Sequence, residues 1–374
     1  MGRPSVDKDS GLPTIGMYGI GMKRAIFKIA EDATVSSMHK NTKSTVHYSA
    51  DWLDPENEKW ELPLLKIAYS GKKFGVTIQS KNLKSEISDQ FSNEAFINRL
   101  SLKIGEHFGY IIQKGFKIKL NTKTILPTTL PLISNDVSKK SSVQAFDFIA
   151  RVNDVHLKIT IGFFRPLVKE KEIEAEAEGP TTQEHAGISV ICNDRIVLLR
   201  DRTLKTGWGD GGVPRFHSQF RAIAGLIVLS SNNASSLPIS TTKRDLDVGS
   251  EVFLKARQAC MEGIKTFTDF TNRWKGMEAE ATIFFDDAPR KDARREITLA
   301  RDHGSAIRGM PDAKKYKPSL PVPETKNPRR RITFMKDAKD IQLVSAYLFD
   351  EKGQEPAVVG ERCFDKILRE ANNG

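Results

Sequence analysis

The stretch Ile15–Ala25, IGMYGIGMKRA, decides how the rest of the chain is read. Three glycines, Gly16, Gly19 and Gly21, fall within six residues. Helical spacing follows at once, with Met22, Ala25, Ile26 and Ile29 at i, i+3, i+4 and i+7. Glycines let a backbone turn tightly and approach a ligand closely. The first turn of a helix offers unpaired N–H groups and the positive end of a dipole. Together these features form a cradle for phosphate, to which Lys23 adds a mobile positive charge. The plainer reading of the same residues is a glycine-rich turn leading into a core helix.

Met1–Thr14 is polar and carries Gly2, Pro4, Gly11 and Pro13, the composition of a loop. Two common phosphate-binding folds, the P-loop and the dinucleotide fold, need an apolar strand directly before their glycines. None is present here, and Gly21-Met22-Lys23 does not fit the GK[ST] ending of a P-loop. A flexible lid entering a helix is the geometry that remains.

The chain of 374 residues has room for two domains with their own cores. Hydrophobic residues at 39% and charged residues at 28% place it among globular proteins rather than disordered ones. No run of eighteen apolar residues occurs, so no membrane-spanning helix is expected. The first residues lack the apolar segment of a secretory signal. Cys192, Cys260 and Cys363 lie far apart, so the expected setting is reducing and cytoplasmic, with buried free thiols. The histidines are scattered without metal-ligand spacing, and no serine or cysteine nucleophile motif appears. A metal centre and a metabolic enzyme therefore have little support. A net charge of +11 permits a polyanionic partner without requiring one.

After the first helix, alternation predicts strands at Thr34–Met38, Ser44–Trp52, Leu64–Tyr69 and Gly75–Ser80, an antiparallel meander by pattern. A long helix is predicted over 93–114. Its stripe is Phe96, Leu100, Ile104, Phe108 and Ile111, with Ser92 as N-cap and Gly115 at the C′ position. Pro127, Pro131 and the polar residues of Leu126–Ser142 mark a domain boundary. AFDFIARV and HLKITIGFF predict two strands about Asn153-Asp154, and AGISVICNDRIVLLRD a hairpin about Asn193-Asp194. Lys169–Glu184 is acidic and reads as an exposed segment. RAIAGLIVLSS predicts a strand, and Glu251–Trp274 a long amphipathic helix. From Pro289 to Lys336 there are fourteen Lys/Arg against five Asp/Glu and six prolines, a composition too polar for a packed core. RRRITFMKD predicts a strand, and Ala338–Phe349 and Val359–Ala371 two helices.

IGMYGIGMKRAIFKIA resembles the glycine-rich lid of the GHKL ATPases, the superfamily of gyrase B, Hsp90-type chaperones, histidine kinases and MutL, with MORC-like proteins closest in appearance. NDRIVLLRD, GWGDGGVPRFHSQF and AIAGLIVLSSNNASSLPISTTKRDLD look like the transducer domain of the same group, in the same order. The resemblance implies an α+β fold: a Bergerat-type ATP-binding sandwich over 1–133 beginning at the lid and a transducer-like α/β domain over 143–275. A basic, partly disordered linker over 276–336 and a helical segment over 337–374 complete the expected order. It implies ATP and Mg2+ as ligands. Gly16, Tyr18, Gly19, Ile20, Gly21, Met22 and Lys23 would face the phosphates, and Lys243 would reach the γ-phosphate from the second domain. Thr77 would serve the adenine side. There the family carries a Gly-Thr pair, whereas this chain has Gly75-Val76, and alternation puts Thr77 on the face opposite Val76.

The family's catalytic Glu, Mg2+-binding Asn and adenine-reading Asp lie before the lid, in a pattern like E-x-x-x-N-x-x-D. No counterpart occurs in this sequence, and Asp210-Gly211-Gly212 falls in the wrong segment to replace it. The chain is therefore expected to be truncated before the lid, with Met1 an internal methionine, and to be inactive in hydrolysis alone. The expected function is an ATP-responsive switch in which nucleotide closes lid and transducer and promotes a homodimer. The competing expectation is a non-catalytic module that binds nucleic acid or protein through the basic C-terminal region, with Pro289–Lys336 as the nucleic-acid contact.

Overall fold

The computed structural model describes residues 21–54, 56–59, 61–139, 142–169, 185–240, 246–323, 332 and 334–373. Two compact units emerge, Met1–Pro323 and Glu324–Gly374. Later strands join the chain on either side of 133–143: Arg290–Asp292 pairs with Pro131–Ile133 and Met310–Tyr316 with Phe146–Val152.

The first unit opens with helix α1 (Gly21–Ile29), which runs straight into strand β1 (Ala30–His39). Strands β2 (Thr42–Tyr48), β3 (Leu65–Ala68) and β4 (Gly75–Leu83) complete an antiparallel sheet of order β3-β2-β1-β4. A short helix, α2 (Ala50–Leu53), follows β2 and replaces the predicted strand end at Trp52. Ser49 caps it, its hydroxyl accepting from the Trp52 N–H at 3.3 Å. The meander holds only for the first three strands. The chain leaving β3 rounds the tip of the β1–β2 hairpin, where the Tyr69 N–H donates to the Asn41 carbonyl at 2.8 Å, and β4 then pairs with the free edge of β1.

The predicted helix over 93–114 is two helices preceded by a third: α3 (Ser85–Ser92), α4 (Glu94–His107) and α5 (Gly109–Gln113). Asn93, not Ser92, is the cap of α4, accepting from the Phe96 N–H at 3.1 Å. Helical geometry breaks at Phe108 (φ −112°, ψ 10°). The backbone of Thr128 crosses so closely there that a Cβ at Gly109 would lie 2.6 Å from its carbonyl oxygen. The hairpin of β5 (Lys119–Leu120) and β6 (Lys123–Thr124) leads to β7 (Pro131–Ile133).

A seven-stranded mixed sheet forms the main body. Its members are β8 (Phe146–Val152), β9 (Val155–Phe163), β10 (Gly187–Cys192), β11 (Arg195–Asp201), β12 (Ile223–Ser230), β14 (Ser305–Ile307) and β15 (Met310–Tyr316), in the order β11-β10-β12-β9-β8-β15-β14. Only β10 and β12 run parallel. Every residue of β10, GISVIC, is buried, the pattern of a strand covered on both faces. The β10–β11 turn puts both Asn193 (φ 43°) and Asp194 (φ 68°) in the left-handed region, as a two-residue hairpin requires.

One face is covered by helix α6 (Glu251–Arg273), capped by Ser250. Phe163 meets Phe267 and Phe270 with ring centroids 5.0 and 5.4 Å apart. Gly263 allows the helix to sit this close: a Cβ there would lie 2.7 Å from Ile161 and 2.8 Å from Phe146. The other face is covered in part by Tyr110, Leu130, Leu132, Ala293 and Ile297.

The region 276–336, expected as a linker, is built into this body as far as Pro323. Short helix α7 (Glu278–Ala281) is followed by β13 (Arg290–Asp292), which pairs with β7, then α8 (Leu299–His303), while β15 pairs with β8. Its basic residues stay exposed or half-buried while a few apolar ones, such as Ala293, Ile297 and Ala313, go inward. Composition averaged over the stretch hides that split. In the second unit, Ile332 and Phe334–Asp337 carry no strand, contrary to expectation. Helices α9 (Ala338–Phe349) and α10 (Pro356–Asn373) pack against each other, the latter starting earlier than expected because Pro356 suits the first helical turn. Lys169 is described, but 170–184 lies outside the described residues.

Candidate functional site

Gly16, Tyr18, Gly19, Ile20 and Lys243 lie outside the described residues. Gly21, Met22 and Lys23 are described, and they form the first turn of α1. Gly21 is exposed and not in a left-handed conformation, and a Cβ added to it would meet nothing within 4 Å among the described residues. Neither backbone geometry nor packing there demands a glycine, which leaves room for something to approach the helix N-terminus. The first turn carries no acidic residue, so nothing on the helix itself competes for its N–H groups.

The inward row of α1 is shifted by one residue from the expected stripe. Ile26 and Ala30 are buried, Lys23 and Phe27 are half-buried, and Met22 and Ala25 point outward. Lys23 thus shares a face with Ile26 and Phe27, its aliphatic stem toward the sheet. Phe27, Tyr48 and Trp52 form an aromatic trio with centroids 5.6 to 6.3 Å apart, which fixes the helix on the sheet.

Register assigns the sheet's two faces. Ala33 opposes Tyr48 and Ser80, and Val35 opposes Val46 and Ile78, so these share the apolar face on which α1 sits. Thr77 opposes Ser36 and belongs to the other face, as alternation required. That face is polar: Ser36 and Thr45 hydrogen-bond at 3.0 Å, Thr34 meets His47 at 3.1 Å, and His47 lies 3.4 Å from Asp32. The structure therefore brings Gly21, Met22 and Lys23 together and sets Thr77 across the sheet from the face that α1 covers.

Asp210 is no adenine reader by its surroundings. The Arg257 guanidinium bonds it at 2.7 Å and holds its carboxyl below the usual range, and the Gly211 N–H bonds it from the other side. Buried Trp208 anchors the same loop against Phe216 and Phe220. Ile239 and Leu246, the described neighbours of the Lys243 segment, pair as an antiparallel bridge.

Among the described residues, a helix N-terminus with a lysine in its first turn is an arrangement that suits an anion such as phosphate. No group of three His, Cys, Asp or Glu side chains that could hold a metal ion gathers among the described residues. No helix among them is long and apolar enough to cross a membrane.

No family model and no curated protein matches the sequence. The backbone is similar to solved structures. One is the B-subunit of the DNA gyrase from Myxococcus xanthus, at 10% identity and TM-score 0.33, over 63% of this chain and 66% of that one. A second is the 43K ATPase domain of Thermus thermophilus gyrase B in complex with an aminocoumarin, at 10% identity and TM-score 0.32, over 74% and 75%. A third is the N-terminal domain of a DNA repair protein, at 13% identity and TM-score 0.33, over 71% and 78%. Likeness at this level assigns neither a site nor an activity.

Proposed function

We propose that this chain is a nucleotide-responsive module of the GHKL ATPase type, binding the phosphate end of ATP through the Ile15–Lys23 glycine motif without hydrolysing it. The observation that carries the reading is the opening of α1. A three-glycine motif runs into a helix whose first residue, Gly21, needs no glycine for packing or backbone geometry, and Lys23 stands in the same turn. The helix N–H groups and dipole hold phosphate oxygens, and Lys23 adds a point charge. The adenine-side contact through Thr77 is not part of this proposal, since Thr77 faces away from α1. When bound, Mg2+ would screen the phosphate charge.

On this reading, the chain signals by ordering rather than by chemistry. Phosphate fixes the glycine segment at the start of α1, and α1 transmits the change to β1, into which it runs without a break. Lys243 is proposed as a second phosphate contact on closure. The test is titration of the purified chain with ATP and a non-hydrolysable analogue, alongside a turnover assay. Weak binding of both, lost in Gly21→Val, with no turnover above a heat-treated control, is the expected result. Turnover by the chain, or binding that Gly21→Val leaves intact, refutes the reading.

A further inference from the structure

The face of the seven-stranded sheet opposite α6 is only partly covered. Where the cover ends, an open cleft of about 560 Å³ remains. Register shows how it is built. Arg151 opposes His156, Ile149 opposes Lys158, Val228 opposes Lys158 and Ser230 opposes His156, so these side chains share one face across three adjacent strands. Arg294 closes one wall, and Asp312 contributes the single acidic side chain of the lining.

The cations in this cleft are held in place. The Arg151 Nε–H donates to the Asn153 carbonyl at 3.1 Å. Lys158 donates through Nζ to the carbonyls of Arg294 and Ile297, at 3.2 and 2.5 Å. Arg294 pairs with Asp194 and lies over the Tyr110 ring at 4.4 Å, yet its Nη1 is buried with no hydrogen-bond partner among the described residues. Burial holds the Lys158 ammonium below its usual range. Asp147 and Asp292 oppose that shift, while Arg301 and Arg294 add to it. Asp147 is itself fully buried and bonded to Thr160 Oγ1 at 2.7 Å and to the Ala300 N–H at 2.9 Å.

We propose that this cleft is a binding site for a phosphate group. Exposed Arg151 presents a guanidinium, Lys158 and His156 flank it, Arg294 forms a positive wall, and Ile149 and Val228 provide an apolar floor for the body of the phosphorylated molecule. Asp312 is the one carboxylate of the lining beside Arg151, Lys158 and Arg294, and although Asp194 and Asp147 offset part of that positive charge, the remaining excess suits an anion such as a phosphate group. The cavity volume falls in the range of small-molecule sites, about 300–1,000 Å³, which are apolar with a few placed polar groups. The cleft shares no residue with the glycine motif, so the two proposals stand or fall separately.

The phosphate can belong to a free small molecule or to a nucleic-acid backbone, and calorimetric titration of the whole chain with inorganic pyrophosphate and with a short oligothymidine separates the two. Binding of pyrophosphate assigns the site to a small ligand; binding of the oligonucleotide alone assigns it to a phosphodiester chain. In either case Arg151→Glu and His156→Glu, both on exposed positions, should weaken binding by about tenfold or more in a Gly21→Val background that disables the glycine motif, while Lys275→Glu, exposed and outside both sites, leaves it unchanged. The proposal is overturned if neither probe binds, if both glutamate variants bind as the parent does, or if Lys275→Glu removes the binding.

Discussion

Strands β4 and β9 are equally long, nine residues each, and both alternate in sequence, GVTIQSKNL against VHLKITIGF. In β9 all but His156 and Lys158 are buried. In β4 none is buried, and Val76 and Ile78 stand 62% and 43% exposed. Strand propensity does not separate them; the layers around them do. The seven-stranded sheet has α6 on one face and a patchwork of strands and helices on the other. Among the described residues, the four-stranded sheet has α1 and α2 on its apolar face, burying Ala30 and Ala33 while Val76 and Ile78 of β4 stay exposed. Local stability follows buried apolar contact, so the two sheets should respond very differently to the same chemical change.

The largest contrast is expected from truncating a ring in the closed sheet. Phe267→Ala should destabilise the first unit by about 3–5 kcal/mol, read as a lower denaturant midpoint, because it empties a site that Phe163 and the α6 face enclose. Overfilling the same interface should cost less. Gly263→Val forces α6 away from Ile161 and Phe146 and should cost about 1–3 kcal/mol by the same denaturation assay. At the sheet edge the effect should depend on pH. Burial would raise the carboxyl of Glu106, but its bond to Lys103 and the Arg200 guanidinium at 2.8 Å together bring it below its ordinary 4.5. A depressed carboxylate stabilises the fold above that value and loses its contribution as pH falls through the folded-state value. Glu106→Gln should therefore be less stable than the parent above pH 4.5, with the gap closing on acidification, as thermal melts across pH would show. The smallest effect is expected on the open sheet, where Ile78→Thr should change stability by less than about 0.5 kcal/mol. A large loss there would mean that β4 is covered after all.

Much of the fold was legible because its signals are local. Asn153, Asn193-Asp194 and Gly115 each mark a turn or a helix end by their own chemistry, and each sits where expected. The helix α9 matches its apolar spacing from Ala338 to Phe349. What failed depends on distant pairing. Nothing in PRKD announces that Arg290–Asp292 will pair with Pro131–Ile133, or that Met310–Tyr316 will extend a sheet begun at Phe146, since edge strands are short and polar. The site divides in the same way. The spacing of Gly21 and Lys23 is visible in one stretch, and so is the opposite orientation of Val76 and Thr77. The direction of the α1 stripe was misjudged by one residue because Lys23 and Phe27, rather than Met22 and Ala25, border the buried row. His156 and Lys158 alternate onto one strand face, a signal present in HLKIT, but Arg294 joins them only through the fold.

The claim that the start of α1 receives phosphate is tested most directly by hydrogen exchange of the chain with and without a non-hydrolysable ATP analogue, followed peptide by peptide. The account predicts slowed exchange over Ile15–Ile29 that disappears in Gly21→Val, with β9, β10 and β12 unchanged. Slowed exchange confined to other segments, or none at saturating analogue, would contradict it.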